Sequence, residues 1–234
     1  MKNGLLITFL LISSVSIKSQ ENMKVVYAYD ALCGWCYGFS SVINQFQEKY
    51  KDNLDFEVIS GGMITGNRIG PIGEVASYIS WAYKDVEKAT GIKFGDKFLN
   101  NTLKDGDAIF TSVPPAIALS VFKTLDSKSS VQFASELQKA IYYDGIYPEN
   151  LDAYGDIASK YGIDAKSFVS KMQDPSYKKL AEEDFQKASA LKVSGFPTVF
   201  IELNGVYYKI GSGYMTFSQL ESNYLSIKSA KNIK

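Results

Sequence analysis

The chain has 234 residues, of which 46% are apolar, 14% aromatic and 21% charged; this is the composition of a folding globular protein and excludes disordered and collagen-like classes. Its 25 basic side chains balance 25 acidic ones and Arg68 is its single arginine, so there is no general basic field, the bidentate contacts used to read phosphate and guanine are scarce, and no nucleic-acid partner is expected. Two cysteines and no histidine leave little from which to build a metal centre.

Lys2 precedes an apolar run from Leu5 to Val15 that is too short to span a bilayer, and the small polar stretch "SIKSQ" follows it. Residues 1–20 are read as a cleaved signal peptide, with a buried first strand or helix as the alternative. Cleavage near Ser19 or Gln20 removes Lys2 and Lys18, taking the basic count from 25 to 23 against 25 acidic side chains. No cysteine lies near the junction, so a lipid anchor is not supported. The expected mature protein is periplasmic or secreted and has no membrane span.

A domain is expected from residue 24 to residue 234. "KVVYAY" (24–29) is a continuous apolar, β-branched and aromatic run, the pattern of a strand buried on both faces. After it the period changes: Phe39, Val42, Ile43, Phe46 and Tyr50 fall on one face of a helix from about Cys36 to Tyr50. A second strand, "LDFEVIS" (54–60), should lie parallel to the first through a right-handed crossover. Helices are then predicted over 72–89, 114–125, 131–143, 151–161, 165–172 and 175–190, with Pro114, Pro115, Asp174, Pro175 and Gly162 as end signals. "TVFIEL" (198–203) and "VYYKI" (206–210) flank Asn204-Gly205, a hairpin turn, and Thr216 with Gln219 forms a capping box for a last helix ending near Ser229. The order βαβ, helices, ββα makes the helical block, about 71–191, an insertion into one α/β domain.

Both cysteines lie in "YDALCGWCYGF" (29–39), where the first strand gives way to the first helix. A structural staple between Cys33 and Cys36 would close almost no loop and remove little unfolded-state entropy. A zinc site needs about four Cys or His ligands, and this chain offers two. A reaction centre fits better: unpaired N–H groups and the positive end of the helix dipole favour a thiolate at Cys33, and Cys36, one turn on, can resolve a mixed disulfide. Gly34 lets a partner chain approach closely, while Trp35 offers an apolar ring or simply packs on the helix. Asp30 either caps the loop or opposes the thiolate with its charge. Glu57 is either a buried proton acceptor for Cys36 or an outward-facing edge residue. "VSGFPTVF" (193–200) places Pro197 at the start of a strand, where its missing N–H is tolerated and a trans bond is the default.

A strand entering C-x-x-C at a helix start, a long helical insertion, and G-F-P-T opening the third strand together resemble the DsbA branch of the thioredoxin superfamily, from about residue 24 to the end. "D-A-L-C-G-W-C-Y-G-F" is similar in particular to the proteins described there as protein-disulfide isomerases. The resemblance implies a thioredoxin fold interrupted by helices, with Cys33 nucleophilic, Cys36 resolving and Pro197 cis opposite the cysteines. It further implies that the backbone of Phe196 pairs with the client chain. It implies a protein-disulfide oxidoreductase needing neither cofactor nor metal, whose partners are thiol- or disulfide-bearing client proteins and a redox partner protein or low-molecular-weight thiol. Two departures from the DsbA oxidase stand out: no histidine lies between the cysteines, and Phe196 is larger than the usual residue before the proline. With the first strand starting soon after the leader, no N-terminal dimerisation module is expected, which favours a monomeric oxidase or reductase. Two other readings remain open: a non-catalytic peptide-binding module or protease adaptor, and a glutathione-conjugating enzyme, which the intact C-x-x-C and the leader disfavour.

Overall fold

The computed structural model describes residues 23–231; the leader expected over residues 1–20 lies outside the described residues. Strand β1 (Met23–Tyr29) matches the first predicted strand and is buried along nearly all its length. Its continuous apolar run is explained by its two covered faces: Val25, Tyr27 and Tyr29 turn to one core, Val26 and Ala28 to another. Helix α1 (Gly34–Tyr50) follows, burying Phe39, Val42, Ile43 and Phe46. It starts two residues earlier than the apolar period alone suggests, because Cys33 serves as its N-cap. Strand β2 (Asp55–Ser60) lies parallel to β1 in the register Tyr27 to Val58.

The insertion opens with β3 (Gly70–Pro71) and a 3₁₀ turn over Ile72–Val75 that leads into α2 (Ala76–Thr90). A helix predicted from residue 72 thus begins its regular α turns only at Ala76. The reason is tertiary: the Ile72 and Gly73 N–H groups donate to Ala108 and Gly106 carbonyls across the insertion's neck. A π-helical turn (Phe98–Thr102) runs into α3 (Leu103–Asp105), and β4 (Ile109–Phe110) pairs antiparallel with β3. None of these short elements was predicted, since two-residue ladders and single turns carry no hydrophobic period. The remaining helices are α4 (Val113–Leu125), α5 (Ser130–Tyr142), α6 (Leu151–Ser159), α7 (Ala165–Met172) and α8 (Pro175–Ala190). Their bounds agree with the sequence reading to within two residues at either end. Phe122 and Phe133 stack face to face at 3.9 Å in the middle of this block.

Strands β5 (Thr198–Leu203) and β6 (Val206–Ser212) form the expected hairpin, with Asn204 and Gly205 at positive φ. Helix α9 (Phe217–Ala230) starts at the Thr216–Gln219 capping box. The sheet order is β2-β1-β5-β6, with β5 antiparallel to both of its neighbours. This is a thioredoxin fold carrying a helical insertion. α1 and α9 cover one sheet face, and Ala188 of α8 packs on the other.

One polar contact ties the insertion to the sheet. Lys123 of α4 donates to both Asp184 oxygens, at 2.8 and 2.7 Å, and to the Val58 carbonyl, while Asp184 also accepts the Ser60 N–H. Burial pushes the Asp184 carboxyl up, and Lys123 opposes that. Lys123→Met is expected to cost about 3 kcal/mol, because it leaves a buried carboxylate without its cation. Urea unfolding measures this, and adding Asp184→Asn should recover part of the loss.

Candidate active site

The site is built where β1 stops. Beyond Tyr29 the chain turns through Asp30, whose carbonyl accepts the Cys33 N–H at 3.1 Å, and α1 begins at once. Cys33 caps that helix with sulfur instead of oxygen: its Sγ accepts the Cys36 N–H at 3.2 Å. The same Sγ donates to the Phe196 carbonyl at 3.4 Å. Both cysteines are free thiols. Cys33 is 6% exposed and Cys36 is fully buried. Burial first, then the neighbouring Cys33, pushes the Cys36 thiol well up.

The Phe196–Pro197 bond is cis and stands opposite the cysteines. The Phe196 ring lies on Gly61, just past β2, where a Cβ would fall inside it. Gly34 sits beside Phe94 and Val86, and Trp35 is 36% exposed with its ring 6.3 Å from that of Tyr214. The fold therefore brings Cys33, Cys36, Gly34, Trp35, Phe196 and Pro197 to one place.

Asp30 is buried and caps the loop. Its carboxylate accepts the N–H of Leu32 at 2.9 Å, the N–H of Met63 at 2.7 Å and the Ser112 hydroxyl at 2.9 Å. Burial pushes this carboxyl up and the three donors pull it back. Glu57 is not a proton acceptor for Cys36. On β2 it stands beside Val26, on the sheet face away from Cys36, and its carboxylate bridges Lys187 and Lys24. Burial works against ionisation there, but the two lysines hold its carboxyl below the usual range.

Next to Cys33 opens a groove of about 270 Å³, walled by Trp35, Met63, Tyr78, Tyr83, Phe94 and Tyr142 among others, with no charged side chain in its lining. α2 supplies one wall and leaves Tyr78 57% and Trp81 56% exposed. Apart from Trp35, the groove residues named here were not found from the sequence, nor was Ser112. Among the described residues no group of three or more Cys, His, Asp or Glu could hold a metal ion. Two free thiols one helical turn apart, beside the Phe196 backbone and an apolar groove, can together perform thiol-disulfide exchange on a polypeptide.

The family model of the DSBA-like thioredoxin domain matches residues 24–224. A candidate protein disulfide isomerase from Nitrosomonas europaea superposes with a TM-score of 0.79 at 23% identity, over 90% of this chain and 99% of that one. The cytosolic disulfide reductase DsbM from Pseudomonas aeruginosa gives 0.72 at 22% identity, over 90% of this chain and 100% of that one, and another of its structures contains GSH. A 2-hydroxychromene-2-carboxylate isomerase gives 0.59 at 16% identity, over 90% of this chain and 99% of that one. At such identities the likeness shows the fold. No curated protein matches the chain.

The unequal burial of the two sulfurs has a direct readout. Brief alkylation of the reduced protein at mildly acidic pH is expected to label Cys33 alone, with Cys36 modified only after denaturation. Peptide mass mapping checks this, and preferential labelling of Cys36 would exchange the two roles.

Proposed function

The chain belongs to the family of DSBA-like thioredoxin domains, and from that premise we propose that it is an exported thiol-disulfide oxidoreductase acting on extracytoplasmic client proteins. The observation that carries the reading is the double contact of Cys33 Sγ, with the Cys36 N–H at 3.2 Å and the Phe196 carbonyl at 3.4 Å. The first contact supports Cys36, one turn away, as the resolving residue. The second supports the Phe196 backbone as the edge on which a client strand would lie.

In the reducing direction the Cys33 thiolate attacks a client disulfide, forming a Cys33–client bond and releasing one client thiol. Cys36 then attacks Cys33 Sγ, the second client thiol leaves, and Cys33 and Cys36 end as a disulfide. Run in reverse, the same steps oxidise a client dithiol. A redox partner protein or a low-molecular-weight thiol restores the starting state. The charge-free groove suits an apolar client segment flanking the reacting cysteine. Export is supported by the basic, apolar and small polar stretches in order over residues 1–20; N-terminal sequencing of protein from fractionated cells tests it.

The protein is expected to catalyse insulin reduction by dithiothreitol and Cys33→Ser to abolish it; activity that survives this substitution would leave a peptide-binding or adaptor role ahead. Cys36→Ala should accumulate reductant-sensitive adducts with clients on non-reducing gels, since the first bond forms and nothing resolves it. Equilibration with glutathione buffers should place the pair between about −270 and about −120 mV, the values for thioredoxin and DsbA. A potential below the lower bound would return the pair to a structural role.

A further inference from the structure

Two surfaces meet at Cys33. One is the backbone at Phe196, whose carbonyl lies 3.4 Å from the sulfur; the other is the groove, in whose wall Cys33 itself stands. A main-chain edge pairs with any extended segment and reads few of its side chains. Of the two surfaces, the groove is the one that can tell one disulfide from another.

Helix α2 shows what kind of group the groove takes. Of its 15 residues only Val86 is buried, yet Tyr78, Ile79, Ala82, Tyr83 and Val86 share one helical face and all line the groove. The charged side chains around this wall stand outside the lining. Glu87 accepts the Phe94 N–H at 2.9 Å and pairs with Lys93, Arg68 donates to the Gly62 carbonyl at 3.4 Å, and exposed Lys84 keeps its ammonium 5.8 Å from the Tyr83 ring. A cavity of about 150 Å³ already admits benzene, so the volume of about 270 Å³ here holds a whole aromatic side chain.

We propose that the groove makes the Cys33 reaction selective for polypeptide disulfides carrying an aromatic side chain one or two residues from the reacting cysteine, and that it discriminates against glutathione disulfide. The inference rests on the dithiol-exchange reading given above and decides between its two classes of redox partner in favour of a protein. Each glutathione carries two carboxylates and an ammonium, for which the lining has no partner, so burying them there forfeits their hydration. Left in water, they gain nothing from the groove. An aromatic side chain entering it removes apolar surface from water, from the ring and from the α2 face alike.

The test uses the reduced protein and symmetrical disulfides of blocked pentapeptides. A single phenylalanine stands one or two residues before or after the cysteine; an all-glycine peptide is the reference, and glutamate versions and glutathione disulfide complete the set. In every case the Cys33 thiolate attacks one peptide sulfur, the peptide S–S bond breaks, and the second peptide leaves as a thiolate. Cys36 then displaces the first peptide, so both peptides end reduced and the protein pair ends oxidised. At one or more positions phenylalanine should raise the second-order rate about tenfold or more above the glycine reference, while glutamate there and glutathione disulfide should not exceed that reference. Ala82→Glu sets a carboxylate in the α2 wall and should bring the phenylalanine-to-glycine ratio down to about one. Ser77→Glu adds the same charge at an exposed α2 position outside the lining, and the ratio should persist. Equal rates for the phenylalanine and glycine peptides at every position overturn the proposal, as does glutathione disulfide reacting as fast as the best peptide. Equal loss of the ratio in both variants overturns the placement in the groove. If the wild type reduces none of the disulfides, the dithiol-exchange reading fails instead.

Discussion

At the head of α1 a sulfur stands where a capping oxygen is usual. The first N–H groups of any helix need acceptors from outside the helix, and here Cys33 Sγ takes the Cys36 N–H at 3.2 Å. A serine would satisfy the same geometry and carry no redox chemistry. With sulfur in the capping position, the contact that starts the helix also fixes Cys33 Sγ and sets Cys36 one turn behind it. The rest of the site is arranged around that sulfur: the Asp30 carbonyl holds its backbone N–H, the Phe196 carbonyl faces it, and the groove opens beside it.

The helical insertion is more than a cover. Asp30 collects donors from the loop before Cys33, from the chain just after β2, and from the residue before α4, while its carbonyl also receives the Gln138 amide of α5. One buried carboxylate thus joins the sheet unit to the insertion in the turn that leads into Cys33. At β2 the Lys123–Asp184 pair makes a second joint. These two fixings tie α4, α5 and α8 to the sheet unit.

Much of this was written plainly in the sequence. The change from a continuous apolar run to a helical period marks the strand-to-helix corner, and the two cysteines sit on it. Asn204-Gly205 and the Thr216–Gln219 box announce the closing hairpin and helix through turn and cap chemistry that needs no tertiary partner. What stayed hidden depends on contacts distant in the chain. The neck of the insertion is closed by β3, β4 and backbone bonds to Gly106 and Ala108, which leave no local pattern. The face to which Glu57 turns follows from register with Val26, and the groove wall contributed by Tyr142 follows from how α5 packs. Gly61 reads as a loop glycine until the Phe196 ring is seen to occupy the space of its missing Cβ.

The groove's lack of charge has a consequence for how capture responds to conditions. A ligand recognised by ion pairs is released as salt screens them; one held by the lining beside Cys33 meets only apolar and aromatic walls. Binding there should be nearly indifferent to ionic strength and carry a negative heat-capacity change. Its apolar part weakens on cooling, as water becomes a better solvent for the surfaces being buried. For such a site temperature, more than salinity, sets how firmly an apolar ligand is held beside the sulfur.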